Sequence, residues 1–296
     1  MVGMTGDFRF GINMVVPDSR AAWTEKCRRA EELGYDVLSA ADHLGMAPPF
    51  PALVLAGEVT SRVQLNTFVL NTPFYNPVLL ARDVTGTDQF TGGRLELGLG
   101  AGYVKEEFEA AGMPFPSARE RVDHLERTIT ELKRLYADPE HKPAPTRPEG
   151  PPLLLGGRGD RVLTLAAEHA DIIGFTGTTK TPDGAPLAAA APEEVDERVA
   201  FVRAKLGDRA SSVEFNLLCQ FVKITNDRAA GLAELEQLVG GRLSAAEIGE
   251  LPVALVGTAA QVADQLRGHR ERFGFSYFTI LEPFLDEFAP VLEHLR

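Results

Sequence analysis

The chain has 296 residues, of which 44% are hydrophobic, and its formal net charge is −12 at pH 7. This length suits one α/β barrel, so a single domain over residues 1–296 is predicted, and the acidic balance without a Lys/Arg-rich run argues against nucleic acid and anionic membrane surfaces as partners. Cys27 and Cys219 have neither a CxxC spacing nor a Cys/His cluster, which argues against a disulfide scaffold and against a metal site.

The first half of the chain alternates strand and helix patterns. Its start, MVGMTGDFRF, lacks the basic beginning and the apolar core of a secretory signal, and no stretch approaches the ~18 apolar residues of a membrane helix, so a cytoplasmic protein is expected. Short apolar runs predict strands, and apolar residues three or four positions apart predict helices. The predicted strands are 8–13, 35–40, 63–70 and 95–100, and the predicted helices are 21–34, 78–90 and 117–136.

The second half repeats this alternation after a Pro-rich connector, 138–152, which is interpreted as a loop. Residues 176–192 lack a firm period and are predicted to form a long mobile loop that closes over the site. The other predicted elements are the strands 153–157, 171–175, 211–224, 251–258 and 276–283 and the helices 160–170, 193–206, 227–240 and 258–273, followed by a terminal helix.

The number of strand–helix pairs, about eight, predicts an α/β fold of the (β/α)8 TIM-barrel type with insertion loops. The alternative is a doubly wound dinucleotide-binding sheet, whose fingerprint is GxGxxG between a strand and a helix. The stretches GLGAGY and GGRGDRV approach this fingerprint, but both lack its last glycine. The barrel is therefore favoured.

Two ionisable residues, Asp42 and His43, follow the predicted strand 35–40. Barrel enzymes carry their catalytic groups at the carboxyl ends of strands, where the loops converge. The pair is therefore a candidate acid–base group. In the alternative reading, Asp42 caps the next segment and His43 is a hydrogen-bonded polar residue of the core.

Glycines follow two further predicted strands. The strand 95–100 leads into GLGAGY, where backbone without Cβ atoms can approach a flat ring closely. The strand 153–157 ends in GGRG before a helix, whose free N–H groups and dipole suit a phosphate. The alternatives are tight barrel packing for the first stretch and a plain turn for the second.

Longer segments of the sequence carry a family resemblance. They are AEELGYDVLSAADHL, NPVLLARDVTGTDQFTGGRLELGLGAGYVKEEFEAAGMPF, PPLLLGGRGDRVLTLAAEHADIIGF and LVGTAAQVADQLRGHRERFGFSYFTI. In this order, and over nearly the whole chain, their combination resembles the bacterial luciferase-like superfamily and, within it, the branch of oxidoreductases that depend on the deazaflavin coenzyme F420. No single segment is specific, but the combination is.

The resemblance implies a (β/α)8 barrel that binds F420, with Asp42 and His43 beside the deazaflavin. It also implies a non-prolyl cis peptide behind the ring, best placed between Phe68 and Val69, with the neighbouring bonds left open. The residues implied to contact the cofactor tail are Gly100, Ala101 and Gly102, and those of the implied phosphate loop are Gly156, Gly157, Arg158 and Gly159.

The sequence departs from the family pattern at Tyr103. In the sugar-phosphate dehydrogenase members, a catalytic glutamate follows the glycines of the fourth strand, whereas this chain has Tyr103 there. A sugar-phosphate substrate is therefore in doubt, and Tyr103 becomes a candidate proton donor or substrate contact, with a pocket-wall aromatic as the alternative. Glu106 and Glu107 follow on a helix and are expected to face away from the site.

The predicted function is hydride transfer between C5 of F420 and a small organic substrate such as an enone, an imine or an alcohol. His43 is predicted to transfer the accompanying proton, because imidazole titrates near neutral pH, and Asp42 to orient that ring or polarise the cofactor. A homodimer is expected, since relatives are often dimers. Three alternatives stay open: an FMN-dependent monooxygenase, a non-catalytic flavin-binding barrel, and isomerase or aldolase chemistry on a phosphosugar through Lys180 or Lys223.

Overall fold

The computed structural model describes residues 8–16, 18–179 and 188–296. The chain divides into two compact units, one formed by residues 13–173 and the other by the chain up to residue 12 together with residues 174–296. The single domain over residues 1–296 stays a prediction. None of the helices in the described part of the chain combines the length and the apolar character needed to cross a membrane.

Strands and helices alternate along the chain, as the sequence predicts. The strands are β1 (Arg9–Met14), β2 (Val37–Ala40), β3 (Gln64–Thr67), β4 (Leu70–Asn71), β5 (Leu95–Gly100), β6 (Leu153–Gly157), β7 (Ile172–Phe175), β8 (Thr178–Thr179), β9 (Ala188–Ala189), β10 (Glu214–Cys219), β11 (Phe221–Ile224), β12 (Ala254–Gly257) and β13 (Tyr277–Leu281). The helices are α1 (Arg20–Leu33), α2 (Pro49–Val59), α3 (Pro77–Phe90), α4 (Lys105–Ala110), α5 (Ala118–Tyr136), α6 (Asp160–His169), α7 (Pro192–Leu206), α8 (Arg228–Leu238), α9 (Ala245–Glu250), α10 (Ala259–Phe273) and α11 (Leu285–Leu292).

The main sheet closes on itself. Its strands follow the order β3-β2-β1-β13-β10-β7-β6-β5-β4, and β3 also pairs with β5. This is the closed, eight-stranded parallel arrangement of a (β/α)8 TIM barrel, in which β4 continues the line of β3. The predicted fold class is confirmed.

Within residues 13–173, local chemistry explains where the helices begin and end. The Ser19 hydroxyl accepts the N–H of the third residue of α1, and Gly34 ends that helix with a φ of 97°. Ser117 and Glu120 form a capping box at the start of α5. The predicted apolar stripe of α5 is buried at Leu125, Ile129 and Leu132. Helix α2 was not predicted.

The strands of residues 174–296 take two sets of partners. β10 pairs in parallel with β13, whereas β11 pairs in parallel with β12 in a separate two-stranded sheet. The prediction of one continuous strand over 211–224 is therefore wrong. The reason lies at Gln220, whose backbone N–H already donates to the carbonyl of Val253, on the β12 side, at 2.9 Å.

A short antiparallel ladder lies in the segment that was predicted to be a loop. β8 pairs with β9 through Thr178–Ala189 and Thr179–Ala188. Residues 180–187, which include Lys180, lie outside the described residues. The closure of this segment over a site therefore stays a prediction.

Candidate active site

Asp42 lies just beyond the end of β2 and is held by the chain that follows β4. Its Oδ2 accepts the backbone N–H of Asn71 at 2.8 Å and the hydroxyl of Tyr75 at 3.1 Å. Burial raises the pKa of Asp42 above its ordinary value, although these two hydrogen bonds and His43 act in the opposite direction. Burial and the Asp42 carboxylate also raise the pKa of Tyr75, so that its hydroxyl stays protonated and donates. Asp42 is thus fixed through one oxygen, which leaves Oδ1 for a ligand.

His43 is held by Glu107, a residue that was expected to face away from it. Nδ1 of the imidazole lies 2.7 Å from Oε1 of Glu107, and the two side chains are 32% and 13% exposed. Glu107 lies in the first turn of α4, and the next residue, Phe108, is fully buried against Phe74 with 4.8 Å between ring centroids. This anchor turns α4 so that Glu107 faces His43, whereas Glu106 is exposed. The expectation for Glu107 is therefore wrong.

Tyr103 packs beside the imidazole but stays open to solvent. Its ring meets the His43 ring edge-on, with 6.0 Å between centroids, and the residue is 63% exposed. Partial burial of the hydroxyl and the Glu107 carboxylate raise the pKa of Tyr103, so the phenol is protonated at neutral pH. In the described part of the chain the hydroxyl has no hydrogen-bond partner and is free to meet a substrate.

The predicted strand 63–70 is interrupted at a non-prolyl cis peptide bond between Phe68 and Val69, where the resemblance implies one. β3 pairs with β5 before the interruption, and β4 pairs with β5 after it. Between them, the Thr67 hydroxyl replaces backbone pairing: it accepts the N–H of Gly98 at 2.8 Å and donates to the carbonyl of Gly98 at 2.9 Å. The hydroxyl of Thr67 therefore joins the two strands at the edge of the site.

The glycines at the ends of β5 and β6 make room for neighbouring side chains. A Cβ atom on Gly100 would lie 2.7 Å from Cγ2 of Val69, and one on Gly156 would lie 3.3 Å from Cγ1 of the same residue. Gly102 has a φ of +70°, and a Cβ there would lie 2.1 Å from Oδ1 of Asn71. Tight packing explains these glycines, and contact of Gly100, Ala101 and Gly102 with a cofactor stays a prediction.

The segment after β6 has the character of an anion receptor. A Cβ on Gly157 would lie 2.5 Å from Cγ1 of Val162, so this glycine lets α6 start close to the strand. A Cβ on Gly159, the N-cap residue of α6, would meet no atom within 4 Å, and as a glycine this residue supplies no side-chain cap. Among the described residues, Nη1 of Arg158 is buried without a hydrogen-bond partner, and burial lowers the pKa of Arg158 from its ordinary value. An unpaired guanidinium nitrogen beside a glycine at a helix start is suited to a phosphate.

These groups lie at the carboxyl ends of four strands that neighbour one another in the order β2-β3-β5-β6. Asp42 and His43 are therefore separated by two strands, β3 and β5, from the glycine-rich turn after β6, at the same edge of the barrel. In residues 8–16, 18–179 and 188–296, no group of three or more His, Cys, Asp or Glu side chains could hold a metal ion. The candidate site therefore brings the Asp42–His43 pair and the candidate anion receptor to one edge.

Comparison with known proteins identifies relatives of this chain. The family model described as "Luciferase-like monooxygenase" matches residues 9–277. The F420-dependent glucose-6-phosphate dehydrogenase of Intrasporangium calvum is 36% identical over 121 residues, which cover 37% of this chain and 36% of that protein. The 5,10-methylenetetrahydromethanopterin reductase of Archaeoglobus fulgidus is 31% identical over 173 residues, which cover 55% of this chain and 51% of that protein. The chain thus spans about half or less of the length of these curated relatives.

A solved structure shares the fold over nearly its whole length. It is an F420-dependent secondary alcohol dehydrogenase in complex with an F420–acetone adduct, with a TM-score of 0.78 and 18% sequence identity. The superposition covers 98% of this chain and 100% of the other. At this identity the likeness extends to the fold.

Proposed function

Because the chain belongs to the luciferase-like monooxygenase family, we propose that it is an oxidoreductase that uses coenzyme F420 to transfer a hydride to or from a small organic substrate. A curated relative and the structural neighbour are both named as F420-dependent, which supports this cofactor over FMN. The observation that carries the proposal is the placement of Asp42 and His43 after β2 at the same barrel edge as the candidate anion receptor after β6, with β3 and β5 between them. This placement suits a cofactor in which a flat ring is joined to a phosphate.

The strand ends fit such a cofactor. Nη1 of Arg158, which has no hydrogen-bond partner among the described residues, and the backbone at Gly159 would hold its phosphate. The backbone of residues 100–102 would contact its tail, and the Phe68–Val69 segment would lie behind its ring. When bound, F420 supplies a ring carbon that accepts or releases a hydride.

The chain's own residues would handle the proton. His43 would take or give the proton that accompanies the hydride, since its ring is partly exposed. Asp42, fixed by Asn71 and Tyr75, would polarise the cofactor through its remaining oxygen. Tyr103 would donate a hydrogen bond from its protonated phenol to a substrate oxygen or nitrogen.

We infer an uncharged substrate with a carbonyl, an imine or a hydroxyl group. The carboxyl groups of Asp42 and Glu107 both lie near His43 and would repel an anion at the reacting centre. Tyr103 also stands where a glutamate was expected for sugar-phosphate oxidation. A homodimer and a cytoplasmic location stay predictions, and light scattering of the purified protein would test the first.

Binding and turnover of the purified protein test the proposal. We expect F420 to bind at least tenfold more tightly than FMN, and F420H2 to be reoxidised, as followed by its absorbance, with at least one of a panel of ketones, enones and imines. His43→Ala should lower turnover at least tenfold and leave the Kd for F420 within about twofold. Tighter FMN binding with substrate-dependent oxygen uptake would instead indicate a monooxygenase. Binding without turnover of any acceptor would indicate a non-catalytic barrel.

A further inference from the structure

We propose that Glu107 is the positioning residue for His43 and that it selects Nε2 as the atom that transfers the proton. This inference rests on the proposed function for the identity of the reaction, but the hydrogen bond that carries it is a property of the chain alone. Nothing in the sequence pattern assigned Glu107 a part in the site.

The contact between the two side chains is short and shielded. Oε1 of Glu107 lies 2.7 Å from Nδ1 of His43, and the glutamate side chain is only 13% exposed. An ionised carboxylate has no proton to give, so the imidazole donates its Nδ1–H and the neutral ring keeps its lone pair on Nε2. In the part of the chain that the structure describes, Nε2 has no hydrogen-bond partner, which leaves it for a substrate.

Asp42, the immediate neighbour of His43 in the sequence, does not orient the imidazole. Its Oδ2 is occupied by the N–H of Asn71 and the hydroxyl of Tyr75, and no hydrogen bond joins it to the imidazole among the described residues. Glu107, in contrast, is held by Phe108, which is fully buried between Phe74 and Phe115 with ring centroids at 4.8 and 5.0 Å. The carboxylate that orients the ring therefore comes from α4 and not from the strand end.

The reaction step then balances through Nε2. In alcohol oxidation, bound F420 would supply the acceptor for the hydride that leaves the alcohol carbon, and Nε2 would take the proton of the alcohol oxygen, so that the substrate becomes a carbonyl compound. The imidazolium that results is stabilised by the adjacent Glu107 carboxylate at Nδ1. In the reductive direction, Nε2 returns the proton to the substrate oxygen or nitrogen as the hydride arrives.

Glu107→Gln tests the assignment, with the exposed neighbour variant Glu106→Gln as matched control. A glutamine amide can donate to Nδ1 and so favour the wrong tautomer. In ¹⁵N NMR spectra of the cofactor-free protein, with the His43 signal identified by its absence in His43→Gln, we expect the Nδ1–H tautomer in wild type and in Glu106→Gln. In Glu107→Gln we expect a shift towards the Nε2–H tautomer, a 10- to 100-fold loss of kcat, and a Kd for F420 within about twofold of wild type.

An unchanged tautomer in Glu107→Gln, or an equal loss of kcat in Glu106→Gln, would overturn the role of Glu107. Glu107→Asp keeps the carboxylate, and we expect it to retain the wild-type tautomer and part of the lost activity. If the wild-type protein binds no F420, the proposed function fails, whereas the tautomer measurement still decides whether Glu107 positions His43.

Discussion

Replacement of Thr67 by valine would test whether one hydroxyl holds the interrupted strand at the site. The Thr67 side chain is fully buried, and its hydroxyl accepts the N–H of Gly98 at 2.8 Å and donates to the Gly98 carbonyl at 2.9 Å. Valine has nearly the same shape but neither a donor nor an acceptor. Thr67→Val therefore leaves the buried N–H of Gly98 without this acceptor and removes one of the hydrogen bonds to the Gly98 carbonyl.

The size of the effect follows from these two groups. The unpaired buried N–H costs about 1–3 kcal/mol and the lost hydroxyl–carbonyl hydrogen bond about 1 kcal/mol, so we expect the free energy of unfolding to fall by about 2–4 kcal/mol. In a chain of this size, 1 kcal/mol corresponds to about 2–4 °C, so Tm should fall by roughly 4–16 °C. Thr67→Ser keeps the hydroxyl and loses one buried methyl group, for about 1 kcal/mol.

Urea unfolding of the three proteins would measure the difference, with the fluorescence of the buried Trp23 as the probe. The wild type, the serine variant and the valine variant should unfold in that order of decreasing urea concentration. If the serine variant lost as much stability as the valine variant, or if the valine variant unfolded like wild type, the role assigned to the hydroxyl would be refuted.

Four further substitutions have defined outcomes. Gly98→Ala places a Cβ 1.8 Å from the backbone oxygen of Thr67, so it should abolish soluble folding or lower Tm by more than about 10 °C. The control Gly159→Ala places its Cβ in open space and should melt within about 2 °C of wild type. Equal melting temperatures of the two variants would contradict this expectation. Burial raises the pKa of Asp42 in the folded protein above its value of 3.8 in the unfolded chain. The protonated carboxyl group therefore stabilises the fold fully below pH 3.8, and this stabilisation is lost as the pH rises through the pKa of the folded protein. Asp42→Asn should therefore gain stability relative to wild type between pH 4 and pH 7 in urea unfolding of the cofactor-free protein, and a constant difference across that range would count against it. Arg158→Met should weaken F420 binding at least about tenfold in calorimetric titration without lowering Tm, because the unpaired guanidinium leaves no lost bond behind; wild-type affinity would exclude the anion receptor.

The barrel was accessible from sequence because its elements carry strong periodic signals. Helix α5 has an apolar stripe and a capping box, and both are local in sequence. Helix α2 was missed because Pro49 and Pro51 lie within it and apolar residues surround its axis, so it has no polar face to reveal a period. The strand 211–224 was predicted as one run because the alternation of apolar residues continues across Gln220, where only a tertiary hydrogen bond marks the change of partner.

The site residues that directly follow a strand could be predicted from the sequence, whereas the contacts between segments that follow different strands could not. Asp42 and His43 follow a buried strand, and their position could be inferred from the barrel rule alone. The role of Glu107 could not be inferred, because the direction of its side chain depends on how Phe108 packs against Phe74 and Phe115. Phe74 and Phe108 are more than 30 residues apart in the sequence. The alternation of a charged residue with a buried phenylalanine in EEFEA was the one available signal.

The placement of the imidazole's partner on α4 has an evolutionary consequence. Tyr103, between β5 and α4, is exposed and meets the His43 ring only edge-on, whereas Glu107, which contacts the Nδ1 atom of this ring, lies in α4 next to the buried Phe108. Descendants of this chain are then free to exchange residue 103 for new substrates without rebuilding the proton-handling machinery. One residue would then determine which substrates the enzyme accepts, and different residues would determine how it reacts.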